Sequence, residues 1–166
     1  MPPRDLAPGA GLAARAHRLA GEALLRVRAA LKKPTTLGVR LVAFDAAGRV
    51  LLVRHSYLPG WHLPGGAVDP DESALDAVLR EAREEAGLAV AGRPRLLGLY
   101  RHPVGGRRDH VAVYVADAAG GPGPRRSLEI LEAGFFAPDA LPEATTAATR
   151  ARIAEALGAA EPGSEW

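Results

Sequence analysis

The sequence predicts an α/β fold in which a mixed β-sheet lies between helices. Three observations support this prediction: two apolar strand patterns joined by a polar turn, a Glu-rich amphipathic helix after them, and further strand patterns that end in a closing helix. Strands that alternate with helices in this way are typical of a sheet that shares its core with helices. With 166 residues, the chain is long enough for one such domain with a sizeable core.

The first 33 residues are predicted to form an extension that precedes the domain. Residues 1–11 are rich in Pro, Gly and Ala without any period, whereas residues 12–31 show the rough apolar stripe of an amphipathic helix. We interpret this helix as one that docks on the domain or on a second subunit. A basic helix that contacts a membrane surface or RNA is the alternative. The helix ends before Pro34, and the domain is expected to span residues 34–160.

The domain is predicted to begin with a β-hairpin. Thr35–Phe44 and Val50–His55 are rich in apolar residues, and the polar segment between them contains Gly48. The later strand patterns are expected at 88–90 with 94–101, interrupted near Gly92, at 110–116 and at 127–136. A helix at 145–157 and a frayed tail at 161–166 complete the chain.

The composition excludes several classes of site. The chain contains no Cys, so disulfides, thiolate metal sites and a Cys nucleophile are ruled out, and a cytoplasmic location is the default expectation. The net charge is only +2, which does not require a nucleic-acid partner. No apolar run approaches the roughly 18 residues that span a bilayer, so we expect a soluble protein.

The Glu-rich helix has recognisable ends and one apolar face. Ser73 and Asp76 form a start that resembles a capping box, and Gly87 is a natural stop. At about 100° per residue, one stripe of this helix is apolar. The stripe consists of Leu75, Val78, Leu79, Ala82 and Ala86.

Three glutamates gather on another face of this helix, well away from the apolar stripe. Glu81, Glu84 and Glu85 are spaced at i, i+3 and i+4, and Glu81 and Glu85 are like charges one turn apart, which is unfavourable unless a cation relieves it. Clustered carboxylates suit oxygen-ligated Mg²⁺ or Mn²⁺. The alternative is a solvated acidic face, which is common on surface helices.

The spacing of the whole motif adds to this evidence. Residues 66–88 read Gly-x5-Glu-x7-Arg-Glu-Ala-x-Glu-Glu-x-Gly-Leu. This pattern is similar to the Nudix box of the MutT-like pyrophosphohydrolases, GX5EX7REUXEEXGU, in which U is a bulky apolar residue. Every fixed position is matched, and only Ala82 stands where Leu, Ile or Val is more usual. The resemblance covers roughly residues 35–158 and implies a Nudix-type α/β/α sandwich with a mixed sheet, plus an extra N-terminal helix.

The resemblance also implies a reaction and a set of ligands. The reaction is hydrolysis of a diphosphate linked to another group, by attack of water on phosphorus, with Mg²⁺ or Mn²⁺ as cofactor. Glu81, Glu84 and Glu85 are implied to ligate the ions together with the Gly65 carbonyl. One carboxylate, in the box or on a loop elsewhere, is implied to be the general base, and Glu81 is our preferred candidate as base or ligand.

Other residues are expected to support this site. Arg80 and Glu72 are interpreted as residues that hold the ligands in place by hydrogen bonds, and a plain i,i+4 pair of Arg80 with Glu84 is the alternative. A further carboxylate from outside the box is expected from Asp109, Glu129 or Glu132. The candidates for substrate contact are Trp61, Tyr100, His102, Arg107 and Arg108, with Tyr57, His110 and Phe136 also considered.

The motif is compatible with three functions. The leading prediction is a hydrolase that acts on a small nucleotide-type diphosphate, as a monomer or homodimer. A non-catalytic Nudix-like binding or sensor module is an alternative, although such modules commonly lose box carboxylates and this chain keeps all of them. An RNA 5′-end pyrophosphohydrolase is the other alternative. Isopentenyl diphosphate isomerases share the fold, but they have an active-site Cys, and this chain contains no Cys.

Overall fold

The computed structural model describes residues 35–103, 108–123 and 129–166, together with the single helical residue Arg15. The rest of the predicted N-terminal helix lies outside the described residues. In chain order, the elements are β1 (Thr35–Phe44), β2 (Val50–His55), α1 (Ala74–Ala86), β3 (Val90–His102), β4 (Arg108–Ala118), β5 (Ile130–Phe136) and α2 (Ala147–Ala156). Neither helix is long and apolar enough to cross a membrane, as far as the described residues extend.

The five strands form one mixed sheet in the order β3-β4-β1-β2-β5. β1 runs parallel to β4 along its whole length, whereas the other strand pairs are antiparallel. β1 meets β2 only where Phe44 lies opposite Val50. The earlier part of β1 is therefore free to pair with another segment on that side.

That segment is the loop that carries the two glycines of the motif. The amides of Val39 and Leu41 donate to the carbonyl oxygens of Gly66 and Pro64, at 2.8 and 2.9 Å, and the Val68 amide donates back to β1 at 3.0 Å. The loop thus runs along β1 as a short irregular strand. This pairing fixes the glycines beside the centre of the sheet.

The pleat of the strands divides the core into two clusters. Leu41 and Leu51 pack in the cluster beneath α1, whereas Val42 and Leu52 pack in the cluster beneath α2. Successive strand residues point to opposite faces, so each strand supplies both clusters. The predicted arrangement of a mixed sheet between helices is confirmed.

Helix α1 has the predicted ends. The Ser73 hydroxyl oxygen accepts a hydrogen bond from the Asp76 amide at 3.1 Å, and Gly87 adopts a left-handed conformation with φ of 60°. This conformation lets the Leu88 amide donate to the Ala82 carbonyl at 3.1 Å. Ala82 itself is fully buried, so the small residue at this slot lies in tight packing against the sheet.

Other boundaries differ slightly from the prediction. β3 is one long strand with a register shift between Ala91 and Arg95, and Gly92 in that shift has a positive φ of 67°. β5 begins at Ile130 instead of 127, and residues 124–128 lie outside the described part of the chain. Helix α2 lies within the predicted range.

The prediction of a frayed C-terminal tail is wrong. The Arg101 amide donates to the Ser164 carbonyl at 2.8 Å, and the Trp166 amide donates to the Arg101 carbonyl at 2.9 Å. The tail therefore adds to the outer edge of β3. Its anchor is Trp166, whose ring packs edge-on against Tyr100 with 6.3 Å between ring centroids.

Candidate active site

The glycine loop passes close to both β1 and helix α1. At Gly65, where φ is 144°, an added Cβ would lie 2.0 Å from the Val39 carbonyl oxygen. Because that oxygen belongs to the backbone of the central strand, this position requires glycine. At Gly66, an added Cβ would lie 2.3 Å from a carboxylate oxygen of Glu81, so a side chain there would displace the end of the Glu81 side chain.

Arg80 connects the carboxylates of the motif. Its Nε and Nη2 bind the two oxygens of Glu72, each at 2.9 Å, and its Nη1 donates to Glu81 at 2.8 Å and to Glu84 at 3.3 Å. Nη2 also donates to the Ala67 carbonyl at 3.1 Å, which ties the helix to the loop. Hydrogen bonds from Arg80 lower the pKa of Glu72, and those with Glu72 raise the pKa of Arg80.

These contacts match both interpretations of Arg80. The contact with Glu84 is the i,i+4 pair, while the contacts with Glu72 and Glu81 are the supporting bonds. A planar guanidinium with several donors can make all of them at once. The two interpretations are therefore compatible.

Glu85 differs from the other glutamates of the motif because it is buried. It is 6% exposed, and its Oε2 accepts a hydrogen bond from the Gly65 amide at 2.8 Å. The expectation that all three glutamates lie well away from the packed stripe is wrong for this residue, because Glu85 follows Val78 by seven residues and so lies only about 20° from it around the helix. Burial raises the pKa of Glu85 to about 7, although the Gly65 amide and the charge of Arg40 act against this rise.

His55 is a neighbour of Glu85 that the sequence analysis missed. Its Nε2 lies 3.8 Å from Glu85 Oε1, and neither of its ring nitrogens has a hydrogen-bond partner among the described residues. Burial, with a smaller effect from Arg40, lowers the pKa of His55 to about 4. A signal was available in the sequence, since His55 follows Leu51 and Val53 at the strand period on the face beneath α1.

Arg40 is the second missed residue. Its Nη1 donates to the Gly65 carbonyl oxygen, the backbone group that the family resemblance assigns to the metal. Burial lowers the pKa of Arg40, and the negative charges of Glu85 and Glu81 oppose this effect. An arginine within the apolar run of β1 was the signal that could have identified it.

A cleft of about 260 Å³ opens beside the glycine loop. It is lined by Arg40, Gly66 and three residues considered at the sequence level, His102, Asp109 and His110. The Thr36 hydroxyl donates to the Asp109 carboxylate in this cleft. His102 therefore lies where a substrate contact was expected. Arg107 lies outside the described residues, as does the side chain of Arg108.

Two aromatic candidates lie in the core instead. Tyr100 is fully buried in the cluster beneath α2, where its hydroxyl donates to Glu155 at 2.7 Å. Trp61 packs edge-on against Phe136 in the same cluster, with 4.8 Å between ring centroids. The prediction of Tyr100 as a substrate contact is wrong, because a ring with no exposed surface cannot stack on a ligand.

The three carboxylates considered outside the box lie in different surroundings. Asp109 lies in the cleft, and Glu132 forms a two-pronged ion pair with Arg54 at 2.7 and 3.2 Å. Glu129 interacts with the site itself, since its negative charge raises the pKa of Glu85 and its carboxylate hydrogen-bonds Tyr57. Glu129 is therefore better placed than Glu132 to act together with the box.

The predicted ligands are neighbours, but arginines hold their oxygens. Within the described residues, no three acidic or histidine side chains are arranged as a preformed metal site. Arg80 binds Glu81 and Glu84, and Arg40 binds the Gly65 carbonyl. The chemistry of the donors nevertheless fits a hard divalent cation, because all of them are carboxylate or carbonyl oxygens.

Comparison with known proteins agrees with this geometry. Residues 34–157 match the NUDIX domain, and the chain therefore belongs to the Nudix family. Its fold and motif are those of a hydrolase of phosphorus anhydrides, as the sequence predicted.

Individual relatives share parts of the chain. A Bacillus subtilis (strain 168) protein named "Putative 8-oxo-dGTP diphosphatase" is 32% identical over 64% of this chain and 70% of its own length. An RNA pyrophosphohydrolase of Gluconacetobacter diazotrophicus is 40% identical over 32% of this chain and 38% of its own length. The crystal structure of a MutT NUDIX hydrolase from Burkholderia pseudomallei has a TM-score of 0.64 and 32% identity, and covers 74% of this chain and 98% of that one.

Proposed function

We propose that this protein is a Mg²⁺-dependent Nudix pyrophosphohydrolase that cleaves a nucleoside diphosphate linked to another moiety, by attack of water on phosphorus. The observation that carries the proposal is the hydrogen-bonded unit of glycine loop and α1. In this unit, the Gly65 amide binds Glu85, Gly66 packs against Glu81, and Arg80 joins Glu81 to Glu84. Three carboxylates and one backbone carbonyl are thus gathered at one end of a helix.

The roles of the residues follow from their positions. The carboxylates of Glu81, Glu84 and Glu85 and the Gly65 carbonyl would hold the divalent ions, which supply positive charge to the diphosphate oxygens when bound. Arg80 keeps Glu81 and Glu84 in place through its bonds. Glu81, whose carboxylate lies against Gly66, is our candidate to accept the proton of the attacking water or to bind metal.

The cleft beside Gly66 is the proposed place for the remainder of the substrate. Arg40, His102 and His110 lie on its wall, and these side chains provide hydrogen-bond donors for an anionic or polar group. The name of the Bacillus subtilis relative supports a nucleotide as the substrate. A nucleotide or nucleotide derivative is therefore the proposed substrate class.

RNA 5′-end hydrolysis is the second candidate. The RNA pyrophosphohydrolase relative is 40% identical, but only over 63 residues, so its name supports this candidate less than the longer match supports a nucleotide. A non-catalytic binding module receives no similar support, because all box carboxylates are present. The assignment of residues 1–33 to an extension and 34–160 to the catalytic domain, and the cytoplasmic location, stay predictions.

A substrate panel tests the proposal. Purified full-length protein is incubated with nucleoside triphosphates, dinucleoside polyphosphates, nucleotide sugars and capped RNA, with and without Mg²⁺, and the products of anhydride cleavage are quantified by ion-exchange chromatography. The proposal expects turnover of at least one nucleotide that disappears when EDTA removes the metal. Turnover of RNA ends alone would favour the second candidate, and no metal-dependent turnover of any substrate would contradict both.

A further inference from the structure

Arg40 binds the Gly65 carbonyl, the backbone group that the proposed function assigns to the metal. Its Nη1 donates to the Gly65 carbonyl oxygen, while the Gly65 amide donates to Glu85 at 2.8 Å. Both polar backbone groups of Gly65 are therefore engaged. One of them binds a cation and the other binds an anion.

The surroundings of Arg40 explain why a cation is tolerated there. It lies in the central strand β1 between Val39 and Leu41, which are fully buried. Taking a guanidinium out of water is unfavourable unless nearby negative charge compensates it. Burial lowers the pKa of Arg40, and the charges of Glu85 and Glu81 offset part of this effect. Arg40 in turn relieves the repulsion between these two glutamates.

Arg40 also borders space into which it can move. Together with Gly66 and His102, it lines the cleft of about 260 Å³. This cleft provides space for a guanidinium that leaves the Gly65 carbonyl.

We propose that Arg40 is an internal counter-ion of the metal site, which neutralises Glu81 and Glu85 in the metal-free protein and releases the Gly65 carbonyl when a divalent ion binds. This inference rests on the proposed function, since it takes these residues as the ligands. Because two cations close together repel each other, Arg40 weakens metal binding. A residue that only supported the fold of the site would have the opposite effect, since its loss would weaken metal binding.

Arginine variants test this inference through metal affinity. Arg40→Met removes both the charge and the donor, Arg40→Lys keeps the charge, and Arg49→Gln is a matched control in the exposed β1–β2 turn, where Arg49 pairs with Asp45 at 2.6 Å. The dissociation constant of Mn²⁺ is measured from the electron paramagnetic resonance signal of the free ion. Thermal unfolding is followed with and without saturating Mn²⁺.

The expected results differ between the variants. Arg40→Met binds Mn²⁺ about tenfold more tightly than the wild type, whereas Arg40→Lys stays within about threefold. Metal-free Arg40→Met unfolds at a lower temperature than the wild type, and saturating Mn²⁺ removes most of this difference. In Arg49→Gln, the affinity for Mn²⁺ and the change in unfolding temperature on adding Mn²⁺ stay as in the wild type.

A second measurement does not depend on the folding of Arg40→Met. In the wild type, titration with diamagnetic Mg²⁺ should shift the Nε–Hε resonance of Arg40, assigned by its loss in Arg40→Lys, and leave that of Arg49 in place. If the wild type bound no Mn²⁺, the proposed function itself would fail. If it bound Mn²⁺ while the Arg40 resonance stayed unmoved and Arg40→Met bound no more tightly, only the present inference would be overturned.

Discussion

Arg80 on α1 and Arg152 on α2 both bind carboxylates, but they differ in exposure and in the number of carboxylates that they contact. Arg80 on α1 has a side chain that is 28% exposed, and it contacts Glu72, Glu81 and Glu84. Arg152 on α2 is 6% exposed and, among the described residues, pairs with one carboxylate, that of Glu155, at 2.7 Å. The first cluster has an excess of negative charge and is open to solvent, whereas the second is balanced and closed.

The closed cluster holds the C-terminal segment. Arg152 lies over the Tyr100 ring, with 3.9 Å from Cζ to the centroid, and donates to the Glu165 carbonyl at 2.8 Å. Glu155 also accepts hydrogen bonds from Tyr100 and from the Gly163 amide, at 2.7 and 3.1 Å. The comparison indicates that an arginine and its carboxylates stabilise the fold where charges balance, and can bind a further cation where carboxylates are in excess.

The largest expected effect is a loss of activity when glutamates in or beside the cluster around Arg80 are changed. Glu84→Gln and Glu85→Gln keep the shape of the side chain but remove a proposed ligand charge, so each should lower Mg²⁺-dependent turnover at least on the order of 100-fold. Turnover is measured by ion-exchange chromatography of the products of anhydride cleavage, with circular dichroism as the check on folding. Glu161→Gln, in the exposed C-terminal segment, is the control and should behave as the wild type. Normal turnover in both box variants would refute the assigned site.

The closed cluster should respond in stability instead. Arg152→Leu leaves Glu155 buried without its cation, and we expect the free energy of unfolding to fall by about 3 kcal/mol. Chemical denaturation measures this change, and kcat/KM should stay within about twofold of the wild-type value at a temperature where the variant is folded. Arg101→Gln, which breaks an exposed pair with Glu165, should lower the free energy of unfolding by less than about 1 kcal/mol. Equal losses in the two variants would show that the buried cluster does not stabilise the fold in this way.

A conservative change in Arg80 separates charge from geometry. Arg80→Lys keeps the positive charge but cannot bind both oxygens of Glu72 while it reaches Glu81, so activity should fall about 10- to 100-fold with little loss of stability. The matched control is Arg83→Lys, one turn further on the exposed side of α1. The same activity in both lysine variants would rule out a positioning role for Arg80.

The smallest expected effect is a dependence of stability on pH. The pKa of Glu85 is raised from its ordinary 4.5 to about 7, so the folded state binds more protons than the unfolded state between these values. Its contribution is therefore present below pH 4.5 and is lost as the pH rises through about 7. In EDTA, the wild type should lose on the order of 1–2 kcal/mol relative to Glu85→Gln between pH 5 and pH 8. A constant difference between the two proteins across this range would contradict the raised pKa.

Local signals made much of α1 predictable. Ser73 and Gly87 cap the helix by contacts within a few residues, and the spacing of its apolar residues is local as well. The burial of Glu85 was predictable in part, because at about 100° per residue Glu85 lies only about 20° from Val78 at the side of the apolar stripe. Its hydrogen-bond partner was not predictable in this way, because the Gly65 amide belongs to a loop 20 residues earlier in the chain.

The features that were not predicted from the sequence are of two kinds. Arg40 interrupts the apolar run of β1, and His55 ends β2 at the strand period of the buried residues Leu51 and Val53, so the sequence contained a signal for both of them. The order of the C-terminal segment depends on contacts of Trp166 and Glu165 with β3 and α2, which are distant in sequence. No local pattern in a short polar tail reveals such contacts.

The pairing of the glycine loop with β1 has a consequence for the motions of the site. The amides of Val39, Leu41 and Val68 are held in bonds between the loop and the central strand. Hydrogen exchange at these amides should be slower than in an unpaired loop, because each of them is hydrogen-bonded across this pairing. Rearrangements during turnover would then be confined to side chains and to the cleft wall, while the backbone around Gly65 stays in place.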